Sequence, residues 1–169
     1  SMAMTPILMH KADALAKHLI KSHELLEKPL PTPTTCELMK DHVVICGFGR
    51  VGQTIARFLK KEAIAYIAMD QDPVRIQEAI VGGEKVLFGD SRHRDILKNC
   101  HVDKAKLVVI TFDDNHSVLQ VLSACKEMGQ DIEVMIRTRD DTDMRKLKEA
   151  GAQTVVPEAL EGSLMLVSQ

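Results

Sequence analysis

Residues 43–59, VVICGFGRVGQTIARFL, constrain the fold more than any other part of the chain. They set three glycines, Gly47-x-Gly49-x-x-Gly52, between an apolar, β-branched run and a run with helical spacing. Each glycine meets a steric demand of a strand that turns at once into a helix. The first permits the tight turn, the second lets backbone approach a phosphate, and the third lets the helix pack closely on the strand. Free N–H groups at the helix start and the positive end of its dipole then hold an anion. Phe48, Arg50 and Val51 complete the loop, with Arg50 either a charged clamp on that anion or a solvated loop arginine.

Beyond this unit the chain keeps alternating. Strand-like runs are predicted at 42–46, 64–69, 85–88, 106–111, 132–137 and 154–156, and helical runs at 51–61, 74–81, 94–99, 117–128 and 142–150. The first, fourth and fifth strands are nearly continuous in Val and Ile, as strands covered on both faces are. Gly82-Gly83, Gly129 and Gly151 close helices, and Asp72-Pro73 opens one with a cap followed by proline in the first turn. Such alternation predicts an α/β fold with a parallel, doubly wound sheet. Right-handed crossovers favour the Rossmann order 3-2-1-4-5-6.

In that order the polar residues at the strand ends gather along one edge. The second strand ends at Asp70, 18 residues past Gly52 and close to the roughly 20 expected for an acid that binds ribose hydroxyls. A carboxylate there would repel a 2′-phosphate, so NADP is expected to be disfavoured. Asp72 reads as the helix cap, and Gln71 as a further polar contact. Gly89 and Asp90 end the third strand, where Asp90 either accepts the adenine amino protons or caps the next helix. Thr111 and Phe112 end the fourth strand at the switch point, with Asp113 or Asp114 capping the helix after it.

Several function classes fall away. Net charge is −2 and aromatics are 3% of the 169 residues, which leaves neither a basic surface nor stacking platforms for nucleic acid. Hydride transfer needs a proton-transfer group and a substrate pocket against the nicotinamide. The loops are short and there is no Tyr-x-x-x-Lys, the one tyrosine, Tyr66, being inside a strand. His93, His101 and His116 read as surface histidines. Cys36, Cys46, Cys100 and Cys125 have no metal or redox spacing, and Cys46 reads as a buried, inert thiol in a reducing compartment.

Residues 1–40 differ in kind. Apolar residues at helical spacing precede Pro29, Pro31 and Pro33, which favour an extended spacer, so a boundary is expected near residue 40. In order and spacing, GFGRVGQ, AMDQDP, FGDSRHRDIL, KAKLVVITFDD, IRTRDD and PEALEGSL resemble the regulator-of-K⁺-conductance N-terminal domain, also called TrkA-N. The version in Kef-type glutathione-regulated potassium/proton antiporters is the most similar. The resemblance implies a binding domain over 41–169, not an enzyme, with 1–40 as the end of a membrane helix and its linker. It further implies a homodimer attached to the membrane transport domain of the same protein, at the cytosolic face of the inner membrane. AMP or NAD(H) would be bound at Gly47, Phe48, Gly49, Arg50, Val51, Gly52, Asp70, Gln71, Gly89, Asp90, Thr111 and Phe112. Glutathione or a conjugate would act nearby. Arg137 and Arg139, two apart on a strand end, are a candidate anion site or pair with Asp140, Asp141 or Asp143. The apolar residues from Leu160 onward call for a covering partner. The alternatives are a free-standing subunit of a K⁺ uptake system and a small NAD(H)-dependent oxidoreductase.

Overall fold

A computed structural model describes residues 39–129, 132–139 and 141–158. The expected membrane-helix end and spacer, the helix from Leu160 and Asp140 lie outside the described residues. The order is β1 (Val43–Cys46), α1 (Arg50–Lys61), β2 (Tyr66–Asp70), α2 (Pro73–Val81), β3 (Val86–Phe88), α3 (Arg94–Asn99), β4 (Leu107–Ile110), α4 (Asn115–Met128), β5 (Glu133–Thr138), α5 (Met144–Ala150) and β6 (Thr154–Pro157). A 3₁₀ turn, Val102–Lys104, precedes β4. The six strands form one parallel sheet in the order β3-β2-β1-β4-β5-β6, as expected.

Alternation along β1 divides the core. Val44 and Cys46 join Leu97, Val121, Leu122 and Leu147 beneath α3, α4 and α5. Val43 and Ile45 join Ala56, Leu59, Ile76 and Ala79 beneath α1 and α2. On α1 the buried residues Gly52, Ala56 and Leu59 follow helical spacing. Asp72 caps α2 by accepting from the N–H of Val74 and Arg75, and Asp114 caps α4 by accepting from Ser117. Gly151, at φ 114°, ends α5 in the left-handed region.

The element boundaries fall within two residues of the expectation. Ile64 is outside β2, because its N–H closes the end of α1 on the Leu59 carbonyl at 2.8 Å. Thr142 precedes α5, whose cap position is Asp143.

The register aligns the strand ends. Cys46 stands opposite Met69 on one side and Ile110 on the other. Three ladder bonds carry this alignment into the loops, from Gly47 to the Met69 carbonyl, Gly89 to Asp70 and Thr111 to Cys46, at 2.9–3.0 Å.

At the opposite end of β1, His42 is fully buried. Its Nε2–H donates to the Cys100 carbonyl at 2.8 Å, and among the described residues Nδ1 has no partner. Burial lowers the pKa below the ordinary 6.5, outweighing the opposing effect of the Cys100 carbonyl. The unfolded chain therefore takes up this proton first, and stability falls as pH drops below about 6.5. The expected outcome is a lower melting temperature at pH 5.5 than at pH 7.5, with part of that difference removed by His42→Gln. An identical pH dependence in the variant would contradict the assignment.

Candidate functional site

The aligned ends of β1 to β4 open into a cavity of about 370 Å³, within the range of small-molecule sites. Gly47, Gly49, Asp70, Gln71, Gly89, Asp90, Thr111 and Phe112, each singled out in the sequence, line it together. It occupies the crevice between β1 and β4, where the strand order reverses.

The glycine loop is built by close contact. Gly47 has φ 98°, and a Cβ there would lie 2.5 Å from Thr111 Oγ1. A Cβ on Gly52 would lie 2.1 Å from the Gly47 carbonyl oxygen, so α1 sits on the loop backbone itself. Gly49 is different, since a Cβ there would meet nothing within 4 Å. It is the cap residue of α1 and offers no side-chain acceptor, and the first turn carries no acid. An external anion fits this helix start.

Asp70 binds the loop to the second strand. Only 6% of its side chain is exposed. One oxygen accepts from the Phe48 N–H at 2.6 Å and the other from the Asp72 N–H at 2.9 Å. Arg75 Nη1 stands 2.8 Å from both oxygens, and Arg75 Nη2 reaches Asp72 at 3.2 Å. Asp90 is held in a similar way. Arg92 gives its backbone N–H at 3.0 Å, its Nε–H at 2.9 Å and its Nη2–H at 2.5 Å. These bonds hold the Asp90 carboxyl below its ordinary pKa of 3.8. Asp90 therefore fixes a turn; α3 begins later, after His93.

Four loop residues have places other than the cavity wall. The Phe48 side chain is in the core at 2% exposure, and its N–H is occupied by Asp70. Arg50 is exposed at the first position of α1, and Gly52 packs beneath the loop. Val51 lines a second groove of about 260 Å³ with Ile55, Met135, Arg137 and Val156. The Thr111 hydroxyl faces the Cys46 and Gly47 carbonyls at 3.1 and 2.9 Å, so it stabilises the loop from beneath.

Among the described residues Arg137 and Arg139 both pair, with partners other than Asp141 and Asp143. Arg137 donates to the Thr111 carbonyl at 3.1 Å and pairs with Glu158, while Arg139 pairs with Asp113. Sequence reasoning missed Met69, Arg75, Ser91, Arg92 and Ser117 on the cavity wall, and named Asp114 there only as the cap it proves to be. An available signal was an arginine two to five residues after each strand-end acid.

A family profile described as the TrkA-N domain matches residues 43–158. A putative K⁺ efflux antiporter KefB of Alkalimonas amylolytica is 39% identical over 130 residues, covering 77% of this chain and 20% of that protein. The glutathione-regulated potassium-efflux system protein KefC of Enterobacter sp. is 31% identical over 164 residues, covering 97% of this chain and 25% of that protein. The chain thus spans a quarter or less of the length of these relatives. The Shewanella denitrificans Kef CTD in its AMP-bound form is similar in fold, with a TM-score of 0.65 and 23% identity over 74% of this chain and 75% of that one.

The contacts give two expected outcomes in urea denaturation. Gly52→Ala forces α1 away from the Gly47 carbonyl and should cost about 1–3 kcal/mol. Asp70→Ala strands two N–H groups and Arg75, and should cost about 2–4 kcal/mol. Wild-type stability in either variant would contradict the corresponding contact.

Proposed function

The chain belongs to the TrkA-N domain family, and from that premise we propose that it is the ligand-sensing domain of a monovalent cation (K⁺)/proton antiporter. It binds an adenine nucleotide, AMP or NAD(H), without turning it over. The cavity at the strand-order reversal carries this reading, because it joins an anion-ready helix start to two strand-end acids. The 5′-phosphate would lie at Gly49 and the first turn of α1, the ribose beside Asp70 and Gln71, and the adenine toward Gly89 and Asp90. Arg50, exposed at the helix start, would supply a charged contact from the rim.

The names of the similar proteins support the larger setting. Potassium-efflux antiporters and an AMP-bound Kef domain are consistent with a nucleotide held as a signal. Such a signal gates only through its difference in affinity between two arrangements of the assembly. A coupling of about 1–3 kcal/mol would be typical. The assembly proposed is a homodimer joined to the membrane transport domain of the same protein, at the cytosolic face of the inner membrane. Glutathione or a conjugate would be a second effector, with Arg137 and Arg139 as its candidate contacts.

Gly49→Val gives a clean test. The backbone there is extended and a Cβ meets no atom, so the variant should fold while its side chain fills the space proposed for the phosphate. AMP or NADH at about a hundredfold its Kd should stabilise the wild type by about 2.7 kcal/mol, read as a rise in melting temperature. The variant should lose most of that rise. Absence of a shift in the wild type, or steady NADH consumption with a carbonyl acceptor, would contradict the proposal.

A further inference from the structure

A bare carboxylate at the end of the second strand repels a 2′-phosphate, and this underlies the sequence expectation that NADP is disfavoured. The Asp70 carboxylate is not bare. Its charge is met by Arg75 Nη1 at 2.8 Å from both oxygens, and by the N–H groups of Phe48 and Asp72. Arg75 also spans to Asp72, so one guanidinium bridges two acids five and three residues before it. Its position is fixed by the fold, because the Asp72 cap and Pro73 start α2 and place Arg75 in the first turn beside the strand end.

Arg75 lines the same cavity as Asp70, Gln71 and Gly89, and 36% of its side chain is exposed. A guanidinium carries five N–H donors in a planar fork. The contacts to Asp70 and Asp72 engage Nη1 and Nη2, and Nε is a third donor nitrogen. Of the two groups on the cavity wall the arginine side chain is the more exposed, 36% against 6% for Asp70. Arginine recognises phosphate by parallel, charge-assisted hydrogen bonds. In dinucleotide folds a nearby arginine is the group that accommodates a 2′-phosphate.

We propose that Arg75 is the specificity-determining residue of the ribose end, and that it admits adenine nucleotides bearing a 2′-phosphate, the NADP(H) class, beside those with a free 2′-hydroxyl. The inference rests on the nucleotide reading of the cavity. Arg75 is shared between Asp70 and the ligand: with a free ribose it stays on the carboxylate, and with a 2′-phosphate it turns part of its fork outward. The site is thereby read by its arginine as much as by its acid.

AMP and adenosine 2′,5′-bisphosphate differ only in the 2′-phosphate, so calorimetry with this pair isolates the contact. The wild type should bind the two within about tenfold of each other, and Arg75→Gln should widen the gap by about tenfold or more. Arg75→Lys keeps the charge without the fork and should give an intermediate ratio. A purely structural role for Arg75 would weaken both ligands equally and leave the ratio unchanged, which would overturn the inference. If Arg75→Gln fails to fold, an unchanged ratio in Arg75→Lys overturns it instead. Failure of the wild type to bind AMP would overturn the nucleotide reading itself, whereas AMP binding with rejection of the bisphosphate in every form would overturn only the role of Arg75.

Discussion

One contact holds the site in shape: the Asp70 carboxylate accepting the Phe48 N–H at 2.6 Å. It ties the glycine loop after β1 to the end of β2, across the sheet. The loop is held as well by the Gly47 N–H on the Met69 carbonyl, by the Thr111 hydroxyl beneath it and by the Gln53 amide on the Phe48 carbonyl. Asp70 thereby helps to keep Gly49, the cap position of α1, on the cavity wall. Phe48 adds to the anchorage by burying its ring in the core under α1 and α2. A charged hydrogen bond at so buried a carboxylate is stronger than a neutral one, and leaving it unmade is costly.

Much of the frame around this contact is legible in the sequence. Covered parallel strands appear as runs of Val and Ile, and Asp72-Pro73 declares a helix start by capping chemistry. Sheet order then follows from handedness and brings Gly49, Asp70, Asp90 and Thr111 to one edge. What stayed hidden was how these groups satisfy one another. Asp70 and Asp90 read as free acceptors because residue type alone says nothing of the arginines folded back on them. Thr111 read as a ligand contact, yet its hydroxyl belongs to the loop carbonyls. Arg139 finds Asp113 across neighbouring strand ends, a pairing that only the topology creates.

Held carboxylates accord with the binding role proposed for the domain. General acid or base chemistry needs a group free to exchange a proton near the working pH. Asp90 is kept below its ordinary pKa by Arg92. A site of this kind distinguishes ligands by fit and charge. A bound nucleotide would then change the free energy of the surrounding assembly through differential affinity, which is the currency of gating.

The central claim is that an adenine nucleotide lies along the ends of β1, β2 and β3. Amide chemical-shift mapping of the isotopically labelled protein during an AMP titration tests it most directly. The account expects the largest saturable shifts at Gly47, Gly49, Gln71 and Gly89, all on the cavity wall. Shifts confined to the groove of Met135 and Arg137, or none at saturating AMP, would contradict it.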